Sequence, residues 1–308
     1  MTIIKSFSVG NGDMFAIRHH SDNFTIIDCC ICDDNREQIF NDIKIMSRDK
    51  TIHRFISTHP DKDHIMGLES LDKKFKILNF YCVENEAEKE DSDKDFEYYC
   101  TLRDSEKAFY IKKDCTRRWM NLNSNERKSA NINILWPDIN DEHFIDELEK
   151  VKNKESPNNI SPIILLEAHG FNFMWMGDLT TDFMEKINIY LPKVDVLFAP
   201  HHGRKSGRIP KKLLEMLYPA LIIIGEGSSN HLFYDYSKNF NTITQNNAGD
   251  ITFEVDNDEC RIYVSKENYS TKILNGNTLK ADEKLTYIIG DIFLDGYFLG
   301  KISRTNND

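Results

Sequence analysis

The chain has 308 residues, 40% of them hydrophobic, and a formal net charge of -11 at pH 7. That length can bury a sizeable core and suits one large domain with insertions. The acidic balance excludes a protein that coats nucleic acid or an anionic membrane with its whole surface, and leaves a local basic patch open. No apolar run approaches the roughly 18 residues a membrane helix needs, and no basic segment followed by a long apolar one opens the chain, so a cytoplasmic protein without membrane partners is expected.

In chain order, apolar runs over 3–9 and 13–18 flank Gly10-Asn11-Gly12-Asp13, a turn signal that predicts an opening hairpin. A third run, Phe24 to Ile27, ends at Asp28. Asp13 and Asp28 each read as a turn cap, favoured for Asp13, or as a group that orients a metal ligand. Cys29, Cys30 and Cys32 crowd next to this strand end without a CxxC pair, so they read as reduced, buried residues rather than zinc thiolates. Residues 36–47 have the spacing of an amphipathic helix.

A short strand ending at Ser57 then runs into Thr58-His59-Pro60-Asp61-Lys62-Asp63-His64, which packs two histidines and two aspartates into six positions. Carboxylates that converge repel one another, so such a loop persists most easily around a cation. Phe75 to Cys82 predicts a strand, Glu84 to Glu97 an acidic surface insertion, and Phe96 to Met120 a helix with Lys112, Lys113, Arg117 and Arg118 near its carboxyl end. Ile132 to Pro137 predicts another strand.

Two further strands deliver ligand-type residues. A hairpin turning at His169-Gly170 ends in Met176-Gly177-Asp178, where the glycine lets the backbone pass close to something, a bound ion being one candidate. The apolar strand Val194 to Pro200 ends in His201-His202-Gly203, and adjacent histidines cannot both serve core packing on one face. After them, Arg204-Lys205-Ser206-Gly207-Arg208 concentrates positive charge on an otherwise acidic chain. Ala220 to Gly225 predicts a buried strand, the stretch through Asn230 and His231 a loop whose histidine, taken alone, reads as exposed, and Gly249 to Val264 a closing hairpin.

Taken together, T-H-P-D-K-D-H, M-G-D and A-P-H-H-G, each ending an apolar strand, with an opening V-G-x-G-D, an I-D strand end and an N-x-S turn at Asn159 to Ser161, resemble the metallo-β-lactamase fold hydrolases. The pattern is most similar to the hydrolase domain of ComEC-type DNA-uptake proteins and their stand-alone relatives, over roughly residues 7 to 255. The resemblance implies an α/β, αββα sandwich: a hydrolase domain over 1–264 with a helical insertion at about 84–130, and a β-rich C-terminal extension over 265–308. It also implies one or two divalent ions. Carried over residue by residue, His59 and Asp61 hold one ion, Asp63, His64 and His201 a second, and Asp178 bridges them. His202 is left to contact the leaving group or orient a ligand, and Asp63 to orient or deprotonate the attacking water.

The superfamily's His-x-His-x-Asp-His carries a carboxylate, Asp61, in place of one imidazole here. The lone histidine between that motif and Gly-Asp is replaced by Asn159 or by nothing. An oxygen-rich site favours Mn²⁺ or Mg²⁺ relative to Zn²⁺ and leaves all three open. The basic stretch points to a phosphodiester substrate, nucleic acid or nucleotide, bound by Arg204, Lys205, Ser206, Asn230 and His231. Two other readings stand beside this one: hydrolysis of a small ester, amide or thioester, and an inactive binding or assembly protein of the same fold. Homo-oligomerisation is left open.

Overall fold

The computed structural model describes residues 1–257, 259–274, 277–289 and 292–302. Among these, two large sheets face one another. The first has ten strands in the order Glu283–Ile289, Ile292–Ile302, Cys260–Val264, Ile251–Val255, Thr2–Ser6, Phe15–Arg18, Asn23–Ile27, Ile52–Ile56, Asn79–Cys82 and Ala108–Tyr110. The second has six, in the order Asn241–Thr244, Leu221–Ile224, Val196–Phe198, Phe171–Trp175, Ile163–Ala168 and Ile132–Trp136.

Aromatic side chains on the facing strands fill the space between the sheets. Phe15 meets Trp175 and Phe198 at centroid distances of 5.8 and 4.9 Å, and Phe253 meets Phe173 at 5.5 Å. These edge-to-face contacts each add about 0.5–1.5 kcal/mol to the burial of the rings. Helices cover the outer faces. Tyr99 of Lys94–Arg103 packs on Phe80 of the first sheet, and Phe144 of Glu142–Lys152 packs on Trp136 of the second. The architecture is the αββα sandwich expected.

Strands Asn23–Ile27, Ile52–Ile56 and Asn79–Cys82 run parallel in the first sheet, as do Phe171–Trp175, Val196–Phe198 and Leu221–Ile224 in the second. Parallel strands send their carboxyl ends to one edge. Consequently the loops beginning at Asp28, Ser57, Met176, Ala199 and Gly225 gather at one rim, where an open α/β arrangement places its ligands.

Three local expectations change. The helix expected over Phe96 to Met120 ends at Arg103, and Ala108–Tyr110 instead adds a parallel strand beside Asn79–Cys82. Tertiary pairing of the β-forming Phe109 and Tyr110 outweighs the helical spacing. Arg117, expected to complement a helix terminus, lies over the rings of Phe109 and Tyr81 at 4.5 and 5.2 Å. The strand expected from Phe75 starts only at Asn79, because helix Leu68–Phe75 continues until Lys76 adopts a left-handed conformation. Of the C-terminal extension, the hairpin Glu283–Ile289 and Ile292–Ile302 joins the first sheet beside Cys260–Val264. Residues 303–308 lie outside the described residues.

Candidate metal centre

The buried carboxylate of Asp28 organises the first loop. It accepts hydrogen bonds from the Thr58 amide at 2.7 Å and the Thr58 hydroxyl at 2.6 Å, and its Oδ2 lies 2.8 Å from His64 Nδ1. Occupying Nδ1 fixes the ring and aims Nε2 away from Asp28, which is how a carboxylate prepares a histidine as a ligand. His59 is set similarly: Nδ1 lies 3.0 Å from Thr58 Oγ1 and 3.3 Å from Ser161 Oγ, and Nε2 faces the rim.

Asp178 stands in the middle. Its Oδ1 is 3.3 Å from His64 Nε2, and its Oδ2 is 3.9 Å from His59 Nε2, 3.6 Å from His201 Nε2 and 3.5 Å from His202 Nε2. Gly177 passes close to Ser161: a Cβ on Gly177, whose φ is +50°, would sit 2.5 Å from Ser161 Oγ. The same hydroxyl accepts from the Asp178 amide at 3.1 Å, so the glycine seats the carboxylate.

His202 has no exposed side-chain surface. Its Nδ1 lies 3.2 Å from Asp13 Oδ1 and its Nε2 3.3 Å from Asp63 Oδ2. Gly12 brings the first turn against this loop, with its Cα so near that a Cβ would lie 2.6 Å from the Asp63 carbonyl, and the Asp13 amide donates to that carbonyl at 3.2 Å. Asp13 therefore joins the centre rather than simply capping its turn, and one ligand atom each from Asp13, His64, Asp178 and His202 fall within 4.8 Å of one another. His201 and His202 both adopt φ of 55°. Left-handed backbone is strained for a non-glycine residue and persists where the surroundings dictate where the side chain points.

Lys89 reaches in from the acidic insertion. Its ammonium lies 3.0 Å from Asp61 Oδ1 and 2.7 Å from the Pro60 carbonyl, leaving Asp61 Oδ2 3.8 Å from His59 Nε2. On the opposite side His201 Nδ1 meets Ser206 Oγ at 3.0 Å, and Arg204 lies 3.4 Å from His201 Nε2 while donating to Asn11. Lys205 donates to the Asn230 carbonyl at 2.9 Å and its amide to the His231 carbonyl at 2.8 Å. Asn230 and His231 thus support the basic loop through their backbone, one shell away from the histidines. Asn159 is not at the centre: its carbonyl oxygen binds Thr180 and its amide Glu147.

Charge alternates across the site. Burial and the neighbouring His64 push His59 down to about 4, keeping it neutral. Burial also opposes charge on His64 and His202, yet Asp178 and Asp28 raise the first well above its usual range, and Asp13 and Asp178 raise the second to about 10. Asp178 is held well below the carboxylate range despite burial, and Asp63 falls to about 2 through its contact with His202. Protons on the two imidazoles thus balance converging carboxylates.

The donor set fits a cation. His59 Nε2, His64 Nε2, both His202 nitrogens and Asp178 Oδ1 are buried without a hydrogen-bond partner. The imidazole nitrogens stand 3.2–3.9 Å from carboxylate oxygens without a well-aligned hydrogen bond, and they share one spot that a metal ion would satisfy together. Imidazole and carboxylate donors suit a divalent ion.

Two sheets packed as an αββα sandwich, with ligand loops at the carboxyl ends of parallel strands from both, agree with the fold that the sequence motifs imply. The chain has the metallo-β-lactamase fold. No family model matches it. An 85-residue stretch is 31% identical to ComE operon protein 3 of Bacillus subtilis (strain 168), covering 27% of this chain and 11% of that relative's length. Among solved structures, CmlA, a diiron β-hydroxylase from Streptomyces venezuelae, is 12% identical with a TM-score of 0.40, covering 73% of this chain and 44% of that one. A putative Zn-dependent hydrolase of the metallo-β-lactamase superfamily from Thermotoga maritima is 14% identical with a TM-score of 0.30, covering 76% and 83%. Among the described residues no helix is long and apolar enough to cross a membrane.

Proposed function

We propose that this protein is a metal-dependent phosphodiesterase, with nucleic acid or a nucleotide as substrate, and that residues 1–264 form its hydrolase domain. The observation that carries the metal is the cluster of buried nitrogen and oxygen atoms around Asp178 that make no hydrogen bond of good geometry. His59 and Asp61 would hold an ion on one side, and Asp13, Asp63, His64 and His202 on the other, with Asp178 between them. When bound, a divalent ion supplies Lewis-acid polarisation and a water made acidic near neutral pH.

The chain's own groups would do the rest. Asp63, ionised and partly exposed, orients the attacking water or takes its proton. Full burial between Asp13, Asp63 and Asp178 supports reading His202 as a ligand rather than as the group that meets the leaving oxygen. His201, partly exposed and steadied by Ser206, stands closer to solvent for that task. Arg204, unpaired with any carboxylate among the described residues, offers a guanidinium to a phosphoryl oxygen at the rim. A small uncharged ester would leave that cation without a purpose.

Turnover of bis-p-nitrophenyl phosphate and of linear DNA with Mn²⁺, Mg²⁺ or Zn²⁺ tests the reading. Metal-dependent activity that disappears in Asp63→Ala and falls in Arg204→Ala is expected. Metal-loaded protein that turns over carboxylic esters but neither phosphodiester would overturn the phosphate assignment.

A further inference from the structure

Next to the histidine rim lies a cleft of about 700 Å³, lined by Lys205, Arg208, Asn230, Phe233 and Tyr234 among others. We infer that this cleft binds the nucleotide flanking the scissile phosphate, so that the substrate is an oligonucleotide strand rather than an isolated small diester; this rests on the phosphodiester reading above. The cleft is fastened to the metal centre. The Lys205 amide donates to the His231 carbonyl and the Phe233 amide to the Gly203 carbonyl, both at 2.8 Å, zipping the loop after His202 to the loop after Asn230. One residue beyond Lys205, Ser206 touches His201. A strand leaving the metal centre past Arg204 therefore enters this cleft within one or two residues of protein.

Its chemistry suits a base and its phosphate. Arg204, Lys205 and Arg208 form no ion pair among the described residues, although the chain as a whole is acidic, whereas the carboxylate of nearby Asp235 is already engaged by Lys238 at 2.7 Å. The Arg208 guanidinium lies 5.7 Å from the Phe233 ring centre, forming a cationic shelf, and the neighbouring Tyr234 is 39% exposed. Beneath them Tyr236 is buried and fixed in place: its hydroxyl oxygen accepts from the Ile209 amide at 2.9 Å, and its ring meets Phe233 edge-on at 4.9 Å. Phe233 is thus held in place before any ligand arrives, which lowers the ordering cost of binding beside it. The volume falls in the range of small-ligand sites, about 300–1,000 Å³.

The test compares two substrates and one binding signal in metal-supplemented, full-length protein. Tyr234→Ala and Arg208→Ala should raise KM for a single-stranded oligonucleotide about tenfold, far more than any change on bis-p-nitrophenyl phosphate, and Tyr234→Phe should restore it. Fluorescence anisotropy with a labelled oligothymidine should show the same loss of affinity without relying on turnover. Equal losses on both substrates, or unchanged oligonucleotide binding in Tyr234→Ala, would overturn the inference. Oligonucleotide binding that depends on Tyr234 while the native protein hydrolyses neither substrate would instead reject the phosphodiesterase reading and leave the cleft assignment standing.

Discussion

The two sides of Asp178 are built differently. On one, His59 is neutral and Asp61 is already shared with the Lys89 ammonium at 3.0 Å. On the other, His64 and His202 carry protons among Asp13, Asp28, Asp63 and Asp178, with no lysine or arginine in contact with these carboxylates among the described residues. The first side is partly neutralised by the protein itself, whereas the second relies on protons that a metal can displace. The second side should therefore be the tighter metal position, and each change below strains or equalises that difference.

Removing the shared carboxylate has the largest effect. Asp178→Ala should abolish phosphodiester turnover and destabilise the metal-free fold by about 1–3 kcal/mol, because two buried imidazolium ions lose the counter-charge they share and keep only Asp28, or Asp13 and Asp63. Urea unfolding with metal chelated measures this. An unchanged midpoint would show that the histidines are not charged as described.

Next come the two sides separately. His202→Ala should remove the tighter ion, while His59→Ala should weaken only the other, as read by titrating Mn²⁺ and following free ion by its electron paramagnetic resonance. The reverse order would invert the comparison. Asp28→Asn, which removes no proposed ligand but disturbs His64 through Nδ1, should weaken the tighter position by about 10–100-fold.

A pH dependence follows from the same asymmetry. In the metal-free protein His202 is raised to about 10 and His64 well above its usual range, so both are protonated at neutral pH. Binding a cation must displace those protons, so apparent affinity should rise with pH towards that value, and calorimetry in two buffers of different ionisation enthalpy should detect released protons. Metal uptake without proton release would contradict it. The smallest effect is expected from Lys89→Met: freeing Asp61 Oδ1 and removing a nearby positive charge should tighten the weaker position by roughly tenfold or less at physiological salt.

Much of this centre could be read from residues because its loops end apolar strands, and strand ends in a parallel arrangement converge. Thr58 to His64, Gly177-Asp178 and His201-His202 were placeable for that reason. Asp13 was not, since a carboxylate in a Gly-Asn-Gly-Asp turn has a sufficient local role, and only the close approach of Gly12 to Asp63 brings it to His202. Which of two adjacent histidines faces the ligands depends on backbone conformation, and both here are left-handed, a feature that alternation along a strand does not encode. Lys89 sits in an acidic surface run, where nothing local announces that its side chain crosses Phe96 at 5.1 Å to reach Asp61. The overextended helix after Phe96 failed for a related reason: pairing with a distant strand overrode local spacing.

The measurement that tests the central claim most directly is metal content after loading with Mn²⁺ or Zn²⁺ and desalting, by inductively coupled plasma mass spectrometry, for the native protein and Asp178→Asn. The site described here predicts at least one retained ion per native chain and its loss in the near-isosteric variant. Native protein that retains none, or a variant that retains as much as the native chain, would contradict a metal centre built around Asp178.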